Sequence, residues 1–228
     1  MSVLANGFFA RAYRKIVHKF YRNDLWIDLC LRAKAESVEY ILAHMQEAQV
    51  LEDRFELLRF ALARAPQDGL VVEFGVEKGA SLRWIARHTP RTVHGFDSFQ
   101  GLPADWRGTK ESRGKFDVRG RLPSVPANAR LHAGWFAETI PPFLAAAPGS
   151  VALLHIDCDI YESTKTVFDL VGERIAPGAW IVFDEYFNYP GWRLHEFKAF
   201  QEWIAAGGRR YRYAGFSAEK GHVAVEIR

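Results

Sequence analysis

The chain has 228 residues, 49% hydrophobic and 25% charged, a balance that excludes disorder, collagen-like repeats and coiled coil. With 30 Lys+Arg against 27 Asp+Glu the net charge is only +3, too even for a nucleic-acid binder. Two cysteines, Cys30 and Cys158, are too few for a disulfide framework and fit no zinc spacing, and no apolar run approaches the roughly 18–20 residues of a membrane span. These features predict a cytoplasmic protein.

Residues 1–22 carry Arg11, Arg14, Lys15, Lys19 and Arg22 without an acid, interleaved with Phe8, Phe9, Tyr13, Ile16, Val17 and Phe20. The charges follow a short apolar patch, the reverse of a secretory leader. As a helix this arm would be basic and amphipathic. It would either attach to a membrane surface or, the reading we favour, pack its aromatic residues on the domain or on a second subunit of a homo-oligomer. Two helices follow, at 25–48 and 51–65, the second with Leu51, Phe55, Leu58 and Leu62 on one face. Pro66, Asp68 and Gly69 stop it. The division this suggests is 1–66, arm and helices capping the same domain, and 67–228, the core.

From residue 69 the texture changes. Near-continuous apolar runs at 69–75, 91–97, 151–157 and 178–184 read as strands of a parallel sheet covered on both faces. Helical stretches lie at about 79–88, 138–146, 162–173 and 191–206, so the alternation is βαβ. Ala129–Ala133 reads as a fifth strand, and 209–214 with 222–227 as an antiparallel edge pair. Residues 98–128, rich in Gly, Pro and charge, form a long loop leaving the second strand where open α/β sheets hold their ligands. This is the expected place of a lid. It holds Arg107, Lys110, Arg113, Lys115, Arg119 and Arg121 against Asp105, Glu111 and Asp117; the excess suits an anionic conjugate as ligand, the alternative, which we favour, being a charged loop that is simply solvated.

The chemistry-bearing residues fall at strand ends. Gly75-x-x-x-Gly79 allows a sharp turn and close backbone approach, with Glu73 two residues before it. It lacks the third glycine of the dinucleotide fingerprint, which disfavours a nicotinamide-dependent oxidoreductase. Asp97, at the next strand tip, suits the two hydroxyls of a ribose. Glu73 and Asp97 are expected at solvent-facing tips, the alternative being that such acids cap the following helices. Downstream, His155-Ile-Asp157-Cys-Asp159 and Asp184-Glu185 gather carboxylates at one edge, where like charges repel unless a cation sits among them. Hard oxygen ligands on adjacent tips suit Mg²⁺; the alternative is a set of helix caps. His155 reads as structural, and for His195 both roles stay open. G-x-S-x-G, Walker A and H-E-x-x-H are all missing.

Glu73-Phe74-Gly75-Val-Glu-Lys-Gly79 resembles the first motif of class I S-adenosylmethionine-dependent methyltransferases. Gly95-Phe-Asp97-Ser98-Phe-Gln-Gly101-Leu-Pro103, Gly134-Trp135-Phe136-Ala-Glu-Thr139, His155-Ile-Asp157-Cys-Asp159-Ile-Tyr161-Glu-Ser163-Thr164 and Asp184-Glu185-Tyr186 resemble, more narrowly, the macrocin O-methyltransferase group. The likeness runs from about residue 70 to the C-terminus. It implies a Rossmann-like α/β fold with a mixed seven-stranded sheet, flanked by helices and carrying an N-terminal helical extension. It implies S-adenosylmethionine as cofactor, with Glu73, Phe74, Gly75, Gly79, Ser81, Asp97, Ser98, Gly134, Trp135 and Phe136 around it. Asp157, Asp184 and Glu185 match the group's magnesium ligands; the group has a second Asp where this chain has Glu185, which reaches one methylene further. The implied activity is Mg²⁺-assisted methyl transfer to a hydroxyl of a sugar or other small molecule, with Asp157 or Asp159 as the base. A non-catalytic cofactor-binding protein docking through its arm is the alternative, and it gives no reason for the carboxylate cluster.

Overall fold

The structure, a computed structural model, describes residues 12–13, 15–19 and 24–228. Within the arm, residues 12–13 and 15–19 are helical, and Tyr13 and Ile16 are exposed. The rest of the arm, and with it the choice between packing and membrane attachment, lies outside the described residues. Among the described residues no helix is long and apolar enough to cross a membrane.

Helix α1 (Leu25–His44) starts where the Asp24 carboxylate accepts the Trp26 N–H. Ser37 fastens it to the body: its Oγ donates to Ala33 O at 2.7 Å and accepts the Asn188 N–H at 2.9 Å. The Tyr40 hydroxyl meets that of Tyr213 at 2.6 Å. Strand β1 (Gln49–Leu51) follows, then helix α2 (Arg54–Leu62), capped by Asp53, which accepts the N–H of Phe55 and Glu56. This cap starts the helix three residues later than periodicity alone suggested.

The core then alternates: β2 (Leu70–Phe74), α3 (Ala80–Arg87), β3 (Val93–Asp97), β4 (Ala129–Ala133), α4 (Phe136–Ala146), β5 (Val151–Ile156), α5 (Tyr161–Val171) and β6 (Ile175–Phe183). Helix α6 (Glu196–Ala206), β7 (Tyr211–Ser217) and β8 (Val223–Ile227) complete it. One sheet results, in the order β1-β7-β8-β6-β5-β2-β3-β4. All pairings are parallel except those of β8, which runs antiparallel to both neighbours. The sheet is α/β and Rossmann-like as expected, with eight strands rather than seven. The extra strand is β1, whose three residues carry too little pattern to be read as a strand. It pairs along β7, whose backbone would otherwise be a free edge. For the same reason the antiparallel pair β7–β8 is not at the very edge: β1 lies outside it, on β7.

The sheet is covered on both faces, as runs like the fully buried Val151–Ile156 require. One apolar layer joins Phe74, Phe96, Ile156, Phe168, Phe183 and Phe200; the other joins Leu57, Leu58, Leu82, Ile85, Leu153 and Trp180. The chain leaves β2 for β3 and β4 on one side and returns to β5 on the other. This reversal opens a crevice at the C-terminal ends of β2 and β5, the general place for ligands in such sheets.

Candidate functional site

A cavity of about 290 Å³ occupies that crevice, at the lower end of the usual ligand-pocket range. Its floor is the turn after β2. Gly75 there has φ +93°, and a Cβ on it would lie 1.6 Å from the carbonyl oxygen of Asp157. Only glycine lets β2 and β5 end so close together. Asp97, at the tip of β3, holds the turn: its Oδ2 accepts the N–H groups of Val76 and Glu77, both at 2.7 Å. Its Oδ1 accepts the Phe99 N–H at 2.6 Å, so the same carboxylate sets the root of the 98–128 segment.

That segment contains neither helix nor strand, yet it is tied across itself by Leu102 N–H to Lys115 O and by Trp106 N–H to Glu111 O. It folds over the cavity mouth and gives Ser98, Leu102, Pro103, Trp106 and Phe116 to the lining. Buried Trp106 packs with Leu102 and Ile160, while His195 Nε2 meets the Arg107 carbonyl oxygen at 2.8 Å.

Opposite the glycine turn, the ends of β5 and β6 bring Asp157, Asp159, Asp184 and Glu185 to the cavity wall. Asp157, Asp159 and Glu185 can each offer an oxygen within 4.8 Å of the others, as can His155, Asp157 and Asp184 with one ligand atom each. Buried Glu185 Oε2 has no hydrogen-bond partner among the described residues. This donor set fits a hard divalent cation. Burial, reinforced by the charge of Asp184, pushes the Asp157 and Glu185 carboxyls well up and Asp159 to about 7. Burial would raise Asp184 as well, but His155 and His222 hold it well below the usual carboxylate range.

Three further residues complete the site without having a motif to announce them. Glu196, fully buried at the start of α6, accepts the backbone N–H of Asp159 with one oxygen and that of Glu185 with the other, both at 3.2 Å. Arg54, the first residue of α2, places Nη1 3.3 Å from Asp184 Oδ2 and 4.0 Å from Asp157 Oδ2. Lys220, between β7 and β8, lines the mouth. Arg54 lies more than 100 positions from the carboxylates it meets, and neither Glu196 nor Lys220 belongs to a motif, so no spacing rule could find them.

Of the residues expected around the cofactor, Gly75, Ser81, Asp97, Ser98, Trp135 and Phe136 line this cavity. Glu73 does not sit at a solvent-facing tip. It is fully buried inside β2, where Oε1 meets His155 Nδ1 at 2.8 Å. Burial alone would lower the His155 pKa, but the carboxylates of Asp184 and Glu73 outweigh it and raise it to about 10. Glu73 thus pairs with the buried His155 ring inside the sheet and does not face the cavity. Phe74 points into the core and stacks on Phe96 with centroids 4.8 Å apart. Gly79 (φ +73°) begins α3 against Pro123, and Gly134 (φ +142°) lies beside Thr139; neither lines the cavity. Both serve as turns that orient the lining residues next to them.

A parallel sheet with one antiparallel strand, a glycine turn after a central strand and an acid at the tip of the next define the Rossmann-like fold of class I methyltransferases. A family model described as "Methyltransferase domain" matches residues 72–186, half of the chain, and the protein belongs to that family. Among curated proteins, the chain is 30% identical over 159 residues to the 8-demethyl-8-(2,3-dimethoxy-alpha-L-rhamnosyl)-tetracenomycin-C 4'-O-methyltransferase of Streptomyces olivaceus, covering 58% of this chain and 60% of that one. It is 28% identical over 145 residues to the demethyldecarbamoylnovobiocin O-methyltransferase of Streptomyces niveus, covering 54% of each. The match therefore spans little more than half the length of these relatives. Among solved structures, a calicheamicin methyltransferase superposes with TM-score 0.62 at 22% identity over 97% of this chain and 93% of its own. The O-methyltransferase NovP gives 0.53 at 22% identity over 76% and 78%. At that identity these neighbours speak to the fold alone.

Proposed function

We propose that the protein transfers the methyl group of S-adenosylmethionine to a hydroxyl oxygen of a small molecule bearing a sugar, with Mg²⁺ at the carboxylates. The observation that carries this reading is the meeting of four carboxylates with the glycine turn and Asp97 in one cavity. A binding module would have no use for such a cluster. The sugar-bearing acceptor is proposed from the named acceptor of the Streptomyces olivaceus relative.

The roles follow from placement. The turn Gly75–Glu77 with Asp97, Ser98, Trp135 and Phe136 would hold the nucleoside. Asp97 Oδ1 accepts a single N–H and so keeps acceptor capacity for a ribose hydroxyl. By the resemblance Asp157, Asp184 and Glu185 would hold the cation; by distance Asp157 is shared between one set with Asp184 and His155 and another with Asp159 and Glu185. What a bound Mg²⁺ would supply is a lowered pKa of the acceptor hydroxyl. Asp159 is the base we favour over Asp157. Placed at the cavity wall, it would take the hydroxyl proton as the new O–C bond forms and the C–S bond of the sulfonium breaks. The sulfonium is already a good leaving group, so alignment does most of what remains. The 98–128 segment would act as a lid, its excess of Arg and Lys suited to an anionic conjugate.

Calorimetric titration with S-adenosylmethionine and NAD, followed by a methyl-transfer screen of sugars, sugar conjugates and catechol-like diols with and without EDTA, tests the proposal. Binding of S-adenosylmethionine alone, with a methyl ether product lost in EDTA, is expected. No affinity for S-adenosylmethionine would sink the reading, and full turnover in excess EDTA would remove Mg²⁺ from it.

A further inference from the structure

Among the described residues, Arg54 is the basic side chain that pairs with these carboxylates, and no part of the proposed chemistry uses it. It enters the cavity from α2, on the opposite sequence side of the fold, and its side chain is 29% exposed. Its Nη1 faces Asp157 Oδ2 and Asp184 Oδ2, at 4.0 and 3.3 Å. The other oxygen of Asp184 faces His222 Nδ1 at 3.2 Å and His155 Nε2 at 3.9 Å. Neither ring bonds to that oxygen: His222 Nδ1 meets the Asp184 backbone carbonyl oxygen at 2.7 Å, and buried Oδ1 has no hydrogen-bond partner among the described residues. Arg54 is thus the side chain that engages the Asp184 carboxylate, and Oδ2 becomes free for a cation only when Arg54 moves.

We propose that Arg54 is a built-in counter-ion that competes with the divalent cation for Asp157 and Asp184, so that cation binding expels the guanidinium from the cavity. The inference rests on the magnesium reading of the site and adds to it a residue that tunes its affinity. Two charges of the same sign cannot share one pair of carboxylates cheaply in a partly buried site. An arginine on a helix start is suited to leave: its long stem can turn out to solvent while its charge persists at every working pH. The Asp53 cap and the buried Leu57 and Leu58 keep α2 in place meanwhile.

The test measures Mn²⁺ affinity, by calorimetry and by the loss of the free-ion electron-spin signal, in wild type, Arg54→Met and Arg54→Lys. Arg59→Met, on an exposed position of the same helix, controls for the general charge of the surface. Arg54→Met is expected to bind Mn²⁺ roughly tenfold or more tightly than wild type. Arg54→Lys, a point charge without the fork, should lie between, and Arg59→Met should match wild type. In the wild-type protein itself, the Arg54 guanidinium Nε–H resonance should shift on addition of Mg²⁺ while that of Arg59 does not. Equal and measurable Mn²⁺ affinity in wild type and Arg54→Met would overturn the role of Arg54 and leave the metal reading standing. No Mn²⁺ bound by any variant at millimolar concentration would overturn both.

Discussion

The carboxylates of this protein divide by what they touch. Glu73 faces a histidine inside the sheet, and removing it leaves His155 buried without its nearest counter-charge. Glu73→Ala is therefore expected to lose about 3–5 kcal/mol of stability in urea unfolding. S-adenosylmethionine affinity should be little changed where the variant is still folded. This reverses what a strand-tip position would predict, a loss of affinity with an intact fold. Glu196 does the opposite kind of service, since it touches only backbone but the backbone of Asp159 and Glu185. Asp159 has φ +63°, a left-handed conformation unusual outside glycine, so an external clamp on its N–H matters to where its carboxylate points. A glutamine has one acceptor oxygen where glutamate has two, so Glu196→Gln strands one buried N–H. We expect a loss of about 1–3 kcal/mol and a fall in kcat with S-adenosylmethionine affinity retained, read by urea unfolding, calorimetry and steady-state kinetics with an identified acceptor.

Among the elements, the long segment 98–128 and the β3–β4 edge carry the clearest consequences. Gly101 has φ +78°, and a Cβ there would lie 2.4 Å from Lys115 O, in the crossing that closes the segment on itself. Gly101→Ala should open this crossing while the sheet stays folded. Trypsin should then cut faster between Arg107 and Arg121, with little change in melting temperature. At the edge, His94 Nδ1 and His132 Nε2 are 3.1 Å apart, and burial, with the charges of His132 and Arg130, lowers the His94 pKa to about 4. A histidine that stays neutral in the folded state binds its proton later than the unfolded chain does. Between pH 6.5 and about 4 the unfolded state therefore holds more protons, and stability falls as pH falls through that window. His94→Phe keeps the aromatic contact with Phe143 and removes the titration. The difference in urea midpoint between pH 7.5 and 4.5 should shrink in the variant.

For the molecule as a whole, every described residue lining the cavity lies at position 54 or beyond. Deletion of residues 1–22 should accordingly leave calorimetric S-adenosylmethionine affinity unchanged. If the basic arm attaches to membranes, the full chain should sediment with anionic vesicles in a salt-sensitive way and the truncated chain should not. Equal sedimentation of the two would leave the packing arm as the remaining reading. The sheet itself spans the two stretches that composition separates at residue 66, because β1 joins β7 and α2 packs its buried leucines beneath β6, β7 and β8.

What the sequence by itself determined is whatever depends on local pattern. Runs buried on both faces identified β2, β3, β5 and β6, the Gly75 turn marked the crevice, and acids at successive strand ends put Asp97, Asp157, Asp159, Asp184 and Glu185 at one edge. A strand's direction and the end it presents follow from its place in a βαβ unit, so these residues could be grouped without coordinates. Whether an acid inside such a run faces a ligand or a partner depends on which strand lies beside it. Glu73 is opposite His155 in the register of β2 with β5, a pairing across 82 positions that no local pattern contains. Arg54 likewise reaches the carboxylates, and Glu196 and His222 the backbone of the residues that carry them, from segments whose own sequences signal only helix or edge strand. Only the tertiary structure decided these contacts, because the charges that meet at the site are brought together by packing of distant segments and not by their spacing along the chain.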